Sequence, residues 1–498
     1  MSESIQPVRV DENQIKSIVE RVVARLEQQS APTKKVTPAV NLAPAPQVNP
    51  PVEKPSLGIG VFPNIESAVN AAETAFDQLD KLTLAQRCQF VDAMRKASVE
   101  QAPLLARMAY EETGLGRYEH KLKKILLAAE KTPGCEILEP TAYSGDHGLT
   151  LVERAPYGII GAITPVTNPV ATIICNAIGM IAGGNSVVFN PHPSARKTSI
   201  AAVQVLNEAV VRLGGPANLI CTVAEPTIQS AQELMKHPKI RLMVVTGGPA
   251  VVKVAMQSGK KVIAAGPGNP PVVVDETADI PKAARDIVDG ASFENNIVCA
   301  LEKETIAVDS IADELKNEMK KAGAYEIKGW QIERLKKLII REEHGPGREG
   351  VINKEWVGKD AQLILEKIGV EAKPDVRLIL AEVDSDHVFF WTELLMPVMA
   401  LVRVKNVEEA IKLAKEVEQG NGHTAVMHSR NIDNLSKMAR TINTSIFVKN
   451  GPSYAGLGMT GEGFASFSIA SPTGEGLTNA RTFTRERRCV LVDSFRII

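Results

Sequence analysis

Cys299 stands in the run Phe293-Glu294-Asn295-Asn296-Ile297-Val298-Cys299-Ala300-Leu301-Glu302-Lys303-Glu304, and no Asp or Glu occurs between Pro249 and Val274. A thiolate is the strongest nucleophile among the common side chains and adds readily to carbonyl carbon. Attack on an aldehyde, followed by loss of hydride to a nicotinamide, leaves a thioester on the protein. Hydrolysis of that thioester needs a positioned base worth roughly 10²–10⁴-fold in rate. An incoming thiol is more nucleophilic than water and needs less help. The plainer reading of any one cysteine is a buried apolar residue beside a strand, so the surroundings of Cys299 decide.

The chain must be large enough to build those surroundings. At 498 residues and 44% hydrophobic content it has length for about two or three domains, each with a substantial core. Lys+Arg of 57 against Asp+Glu of 58 gives no electrostatic ground for nucleic acid or a membrane surface as partner. The cysteines (Cys88, Cys135, Cys175, Cys221, Cys299, Cys489) form no C-x-x-C pair and no metal-ligand spacing with His. No metal is expected, and a reducing cytoplasm fits best. The stretch from Ala155 to Ala195 is free of Asp, Glu, Lys and Arg, but Pro165, Asn168, Pro169, Asn176 and Gly183-Gly184 interrupt it. It therefore reads as strand, loop, buried helix and strand, not as a membrane span.

At the N-terminus, Ile15, Ile18, Val19, Val22, Val23 and Leu26 follow the spacing of one apolar helix face. From Ala31 to Pro55 the composition turns Pro/Ala/Val/Lys-rich, as in an extended linker. A tethered helix of about 15 residues is marginal in water, so it is expected to order against a partner, or alternatively on its own catalytic domain or another copy. Ile65 to Lys131 reads as three helices broken at Thr113-Gly114-Leu115-Gly116. Strands over Ile159–Thr164, Ser186–Phe189, Leu219–Val223 and Arg241–Thr246 alternate with helices over 170–182, 197–213, 228–236 and from Ala250. That alternation predicts a doubly wound parallel sheet. Thr246-Gly247-Gly248-Pro249 closes a strand and opens a helix whose bare amides suit a pyrophosphate. A second alternating region runs from Pro271-Val272-Val273-Val274 through Thr305–Val308, a helix over 312–322, Arg377–Ala381, Glu393 to Val398, a helix over 407–418 and Ile446–Lys449. Gly148–Arg154 and Arg488–Val492 are strands outside both sheets, of a kind that often makes subunit contacts.

Several motifs occur together: Thr164-Pro165-Val166-Thr167-Asn168-Pro169, Asn185-Ser186-Val187-Val188-Phe189-Asn190-Pro191-His192-Pro193, Gly266-Pro267-Gly268-Asn269-Pro270-Pro271, the Cys299 segment, and Ser445-Ile446-Phe447-Val448-Lys449-Asn450-Gly451-Pro452-Ser453. With them the chain resembles the aldehyde dehydrogenase superfamily from residue 57 to 498, and more narrowly its CoA-acylating branch of ethanolamine- and propanediol-type bacterial microcompartments. The resemblance implies an α/β fold with a Rossmann-type cofactor domain, an α/β catalytic domain and a small β oligomerisation element. Residues 1–30 become a targeting helix and 31–56 a linker. Residues 57–265 become the cofactor domain, with 136–155 as oligomerisation strands. Residues 266–465 form the catalytic domain, and 466–498 a return segment with a further oligomerisation strand.

The resemblance also implies roles. Cys299 matches the nucleophile, and Asn168 the amide that holds the hemithioacetal oxyanion together with the Cys299 N–H. Glu393 matches the glutamate on the nicotinamide ribose, and Asn450 an asparagine near the substrate pocket. Thr164, Pro165, Asn190, Pro191, Thr246, Gly247, Gly248, Ala265 and Gly266 complete the expected cofactor site. Ala265 lies 34 residues before Cys299, where water-using members carry a glutamate. Asn190 and Gly248 depart from the residues that surround the adenosine phosphate in hydrolytic members, which favours NAD over NADP. The implied reaction oxidises a short aliphatic aldehyde such as acetaldehyde or propionaldehyde with NAD and coenzyme A. The implied assembly is a homo-dimer or tetramer in the cytoplasm, inside a microcompartment whose shell or cargo binds residues 1–30. A hydrolytic enzyme with another base and a non-catalytic interaction protein are the competing readings.

Overall fold

The computed structural model describes residues 57–498, so the expected helix from Ile15 to Leu26 and its linker lie outside the described residues. After strand β1 (Val61–Phe62) come three helices, α1 (Ile65–Leu79), α2 (Leu84–Thr113) and α3 (Tyr118–Lys131). Their ends are set by local chemistry. The Asn64 side chain accepts from Ser67 N at the start of α1, and Thr83 with Gln86 forms a capping box on α2. Gly114 closes α2 in the left-handed region at φ 63°, where the sequence places the break.

Strands β2 (Thr141–Gly145) and β3 (Gly148–Pro156) make an antiparallel hairpin. Then β4 (Ile159–Thr164), α4 (Pro169–Ala182), β5 (Ser186–Pro191), α5 (Arg196–Arg212), β6 (Ile220–Val223), α6 (Ile228–Lys236), β7 (Ile240–Thr246), α7 (Pro249–Met256) and β8 (Lys261–Ala265) alternate. The parallel sheet runs β1-β6-β5-β4-β7-β8. Every residue of α4 is buried, which explains why its sequence lacks a polar face.

The chain then enters a second parallel sheet. Its members are β9 (Pro271–Val274), β10 (Glu304–Val308), β11 (Ala324–Ile327), β12 (Leu378–Glu382), β13 (Val398–Val404), β14 (Thr424–His428) and β15 (Ile446–Lys449), in the order β11-β12-β13-β10-β9-β14-β15. Helix α8 (Ile280–Ser292) joins β9 to the segment that carries Cys299. Finally β16 (Thr484–Val492) pairs antiparallel with β3, outside both parallel sheets as the sequence predicts.

Several strands were not legible. β8, β11, β13 and β14 have no counterpart among the expected elements, because Lys261-Val262-Ile263-Ala264-Ala265 and Thr424-Ala425-Val426-Met427-His428 carry alanines and polar ends that weaken a strand signal. Among the described residues, no helix is long and apolar enough to cross a membrane.

Candidate active site

Parallel pairing brings distant residues to one edge. Thr164 ends β4 opposite Pro191 at the end of β5, and Thr246 ends β7 opposite Ala265 at the end of β8. From β4 the chain crosses to β5 on one side, while β7 lies on the other, so a crevice opens at this switch point. Thr164 Oγ1 is buried there without a hydrogen-bond partner. Gly247 N donates to Ala265 O at 3.2 Å, and a Cβ on Gly248, the N-cap of α7, would meet nothing within 4 Å. An orphaned hydroxyl and uncovered backbone at a helix start fit a dinucleotide. Asn190 behaves differently, since its Oδ1 accepts from Ser230 Oγ at 2.5 Å and its Nδ2 donates to Thr227 O at 3.4 Å. Thr246 Oγ1 shares a 2.7 Å hydrogen bond with Ser468 Oγ. These two side chains shape the crevice wall and are already committed. Half-buried Pro165 follows β4, and Gly266 packs under Pro472, whose Cγ lies 2.8 Å from where a Cβ would stand.

Cys299 sits between a tight turn over Phe293–Asn296 and β10. Glu294, Asn295 and Asn296 adopt φ of 51°, 51° and 65°, three consecutive left-handed residues without a glycine. Each such conformation costs about 1–3 kcal/mol unless neighbours hold it. Asn295 Nδ2 donates to Gly358 O and Asp360 Oδ1, both at 2.9 Å, while Asn296 Nδ2 donates to Ala291 O and Glu302 O, both at 2.8 Å. Lys303 Nζ donates to Asn296 Oδ1 at 2.6 Å, Asn296 O at 2.8 Å and Val298 O at 3.3 Å. The thiol loop is thus pinned from both sides. Burial pushes the Cys299 thiol up to about 12, Glu393 adds to the rise and Lys303 opposes it. Burial also raises the half-buried Glu393 carboxyl to about 7, against the pull of Lys303.

Asn168 is the N-cap of α4, yet its side chain caps nothing. Its Oδ1 accepts from Lys124 Nζ at 2.7 Å, and Lys124 also donates to Thr167 O at 3.2 Å. Glu294 faces both Lys124 (3.3 Å) and Lys121 (3.0 Å), with all three side chains buried. The element that presents the thiol and the element that carries Asn168 therefore meet through helix α3.

The aldehyde dehydrogenase family model matches residues 62–464. The chain belongs to that family. Among its relatives is an acetylating acetaldehyde dehydrogenase of Bilophila wadsworthia, 54% identical over 88% of this chain and 91% of the relative. Two solved aldehyde dehydrogenases align closely. The propionaldehyde dehydrogenase of Rhodopseudomonas palustris, with bound CoA and an acylated cysteine, is 52% identical with a TM-score of 0.85 over 87% of this chain and 98% of that one. The propionaldehyde dehydrogenase of the Clostridium phytofermentans fucose utilisation microcompartment is 50% identical with a TM-score of 0.86 over 88% and 100%.

In this aldehyde dehydrogenase the side chain of Asn450 is tied to Ser429: Nδ2 donates to Ser429 O and Oδ1 accepts from Ser429 N, both at 2.9 Å. It clamps the end of β15 to the end of β14, and these contacts give no support to the expected place at the substrate pocket. Sequence reasoning passed over His423. A Cβ on Gly268 would lie 2.8 Å from Cys299 O and 2.9 Å from His423 Cγ, so the thiol loop and this imidazole close on one glycine. His423 Nδ1 is bonded to Thr424 Oγ1 at 2.8 Å, and buried Nε2 has no partner. Burial, helped by Lys303, lowers its pKa to about 4, which keeps the ring neutral. Lys121, Lys124, Glu294 and Lys303 were missed as well. The available signal was charge at positions 294, 302, 303 and 304 bracketing the apolar run Ile297–Leu301 around the thiol.

Proposed function

We propose that this protein is a CoA-acylating aldehyde dehydrogenase in which Cys299 attacks a short aliphatic aldehyde and the resulting thioester is released by the thiol of coenzyme A. The observation that carries the reading is the buried methyl of Ala265 at the end of β8, 4% exposed, where a water-using relative needs a carboxylate. Identity with acylating relatives supports the same conclusion. In the mechanism, Asn168 Nδ2 and the Cys299 N–H hold the oxyanion, since neutral donors stabilise developing charge without ion-pairing the ground state. NAD, when bound, would supply the hydride acceptor, and Thr164, the Gly247-Gly248 turn and Gly266 would hold it, with Glu393 at its ribose. His423, whose buried Nε2 has no partner and whose ring shares Gly268 with the thiol loop, is our candidate for the group that meets the incoming thiol.

The test is turnover of acetaldehyde and propionaldehyde with and without coenzyme A. Sustained NADH formation and acyl-CoA should appear together and only with CoA, because without it each site stops at one thioester. Free acid and NADH at full rate without CoA would overturn the reading.

We also propose that residues 1–30 carry the enzyme to the shell or cargo of a bacterial microcompartment in the cytoplasm. The apolar stripe from Ile15 to Leu26 supports this, as does likeness to a microcompartment enzyme. A homo-oligomer joined through the β2-β3-β16 sheet fits the exposure of Val490, Leu491 and Val492 on its edge strand. Sedimentation of the purified protein tests the second point, because a monomer at micromolar concentration would exclude it.

A further inference from the structure

Asparagine at the start of a helix ordinarily accepts from an amide of the first turn. Asn168 does not, because its Oδ1 is taken by Lys124 Nζ at 2.7 Å. An ammonium has donors only, so this contact settles which end of the amide is the oxygen. Nδ2 is left with Thr167 Oγ1 at 3.4 Å as its one partner and remains free to donate. The charge balance around Lys124 is also unusual. Lys121 and Lys124 share the single carboxylate of Glu294, all three at most 3% exposed. Neither Lys121 Nζ nor Glu294 Oε2 has an aligned hydrogen bond. The nearby His120 accepts from Glu294 N through Nδ1 at 2.8 Å and is held neutral by burial, and the Arg117 guanidinium is paired with Asp360 at 2.9 Å. Two buried cations therefore face one anion. Such an excess is unfavourable in a dry interior, and it becomes favourable when negative charge develops beside it.

We infer that Lys124 is a positioning residue for thioester formation: its ammonium locks the Asn168 amide with Nδ2 presented to the substrate oxygen and polarises that donor as the oxyanion forms. A cation on the amide oxygen strengthens the N–H as a donor through the same hydrogen-bonded chain. Glu294 couples this arrangement to the thiol loop, because it lies five residues before Cys299, its carboxylate faces both lysines and its backbone N donates to His120 Nδ1. The inference rests on the roles proposed above for Asn168 and Cys299.

A double-mutant cycle separates the two. Lys124→Met leaves the Lys121–Glu294 pair neutral and of equal charge, so the fold has reason to survive. Asn168→Ala should lower kcat roughly 10²–10³-fold. Lys124→Met should lower kcat roughly 10–100-fold with the aldehyde KM changed less than about threefold. The double variant should match Asn168→Ala alone, since Lys124 acts through that amide. Lys124→Gln keeps a donor for Oδ1 and should recover part of the loss. If Lys124→Met does not fold, the Gln variant carries the cycle. Parental kcat in Lys124→Met, losses that multiply in the double variant, or Gln no better than Met would each overturn the inference while leaving Asn168 in place. Parental kcat in Asn168→Ala would remove the assignment of Asn168, and the inference with it.

Discussion

At the scale of single residues, burial sets the titration of the site: it pushes the Cys299 thiol up to about 12 and His423 down to about 4. Cys299→Ala should abolish NADH formation and leave the thermal melt within a few degrees of the parent, because one small side chain holds the covalent centre. Residual turnover of that variant would put the nucleophile elsewhere. Ala265→Glu should divert part of the thioester to free acid when CoA is left out, since a carboxylate at the end of β8 activates water. Acid release measured without CoA would stay at the parental level if the missing base does not control the outcome. Lys124 gives the pH dependence its sign. Burial lowers its pKa from 10.5 to about 8. Between those values the unfolded chain binds a proton that the folded chain has lost, so stability rises with pH across that window. Relative to Lys124→Met, the parent should gain up to about 3 kcal/mol as pH goes from 8 to 10.5. Urea unfolding at both ends of the window reads this difference, and a constant gap between the two proteins would refute it.

At the scale of elements, the loop before Cys299 depends on side-chain amides to hold a backbone that glycine would hold by itself. Asn296→Ala removes the two donors to Ala291 O and Glu302 O and should destabilise the protein by about 2–4 kcal/mol, with a fall in kcat larger than the change in KM. An unchanged melt would mean that the left-handed turn is held by other contacts. The same loop marks the boundary of what could be read from the sequence. Ile159–Thr164, 228–236 and Ile446–Lys449 were legible to the residue, because apolar periodicity and turn residues bracket them. The crevice at the switch point between β4 and β7 was legible in outline, since strand ends and the Gly247-Gly248 turn are local features. The lysine–glutamate cluster was not, because Lys124 and Glu294 come together only after two helices and a sheet have packed, and spacing along the chain carries no trace of that meeting. Asn190 and Asn450, read as site groups from the sequence, are also tied by their side chains to Ser230, Thr227 and Ser429, contacts that spacing along the chain does not show.

At the scale of the whole molecule, removing residues 1–30 should leave kcat and KM at parental values and abolish co-purification with shell or cargo. Ile18 and Val22 both changed to Glu should do the same, because each charge would have to be desolvated at the docked face. Loss of activity on truncation would tie the segment to the catalytic body. The C-terminal stretch has the opposite character. Ser468 bonds Thr246, Thr473 Oγ1 accepts from Ala264 N at 3.0 Å, and β16 lies along β3. Translation proceeds toward that end, so a growing polypeptide exposes its reactive sulfur to the cell before the stitches that finish the dinucleotide crevice have been made. A chain stopped short of Ser468 keeps the nucleophile and loses the hydroxyl that Thr246 bonds.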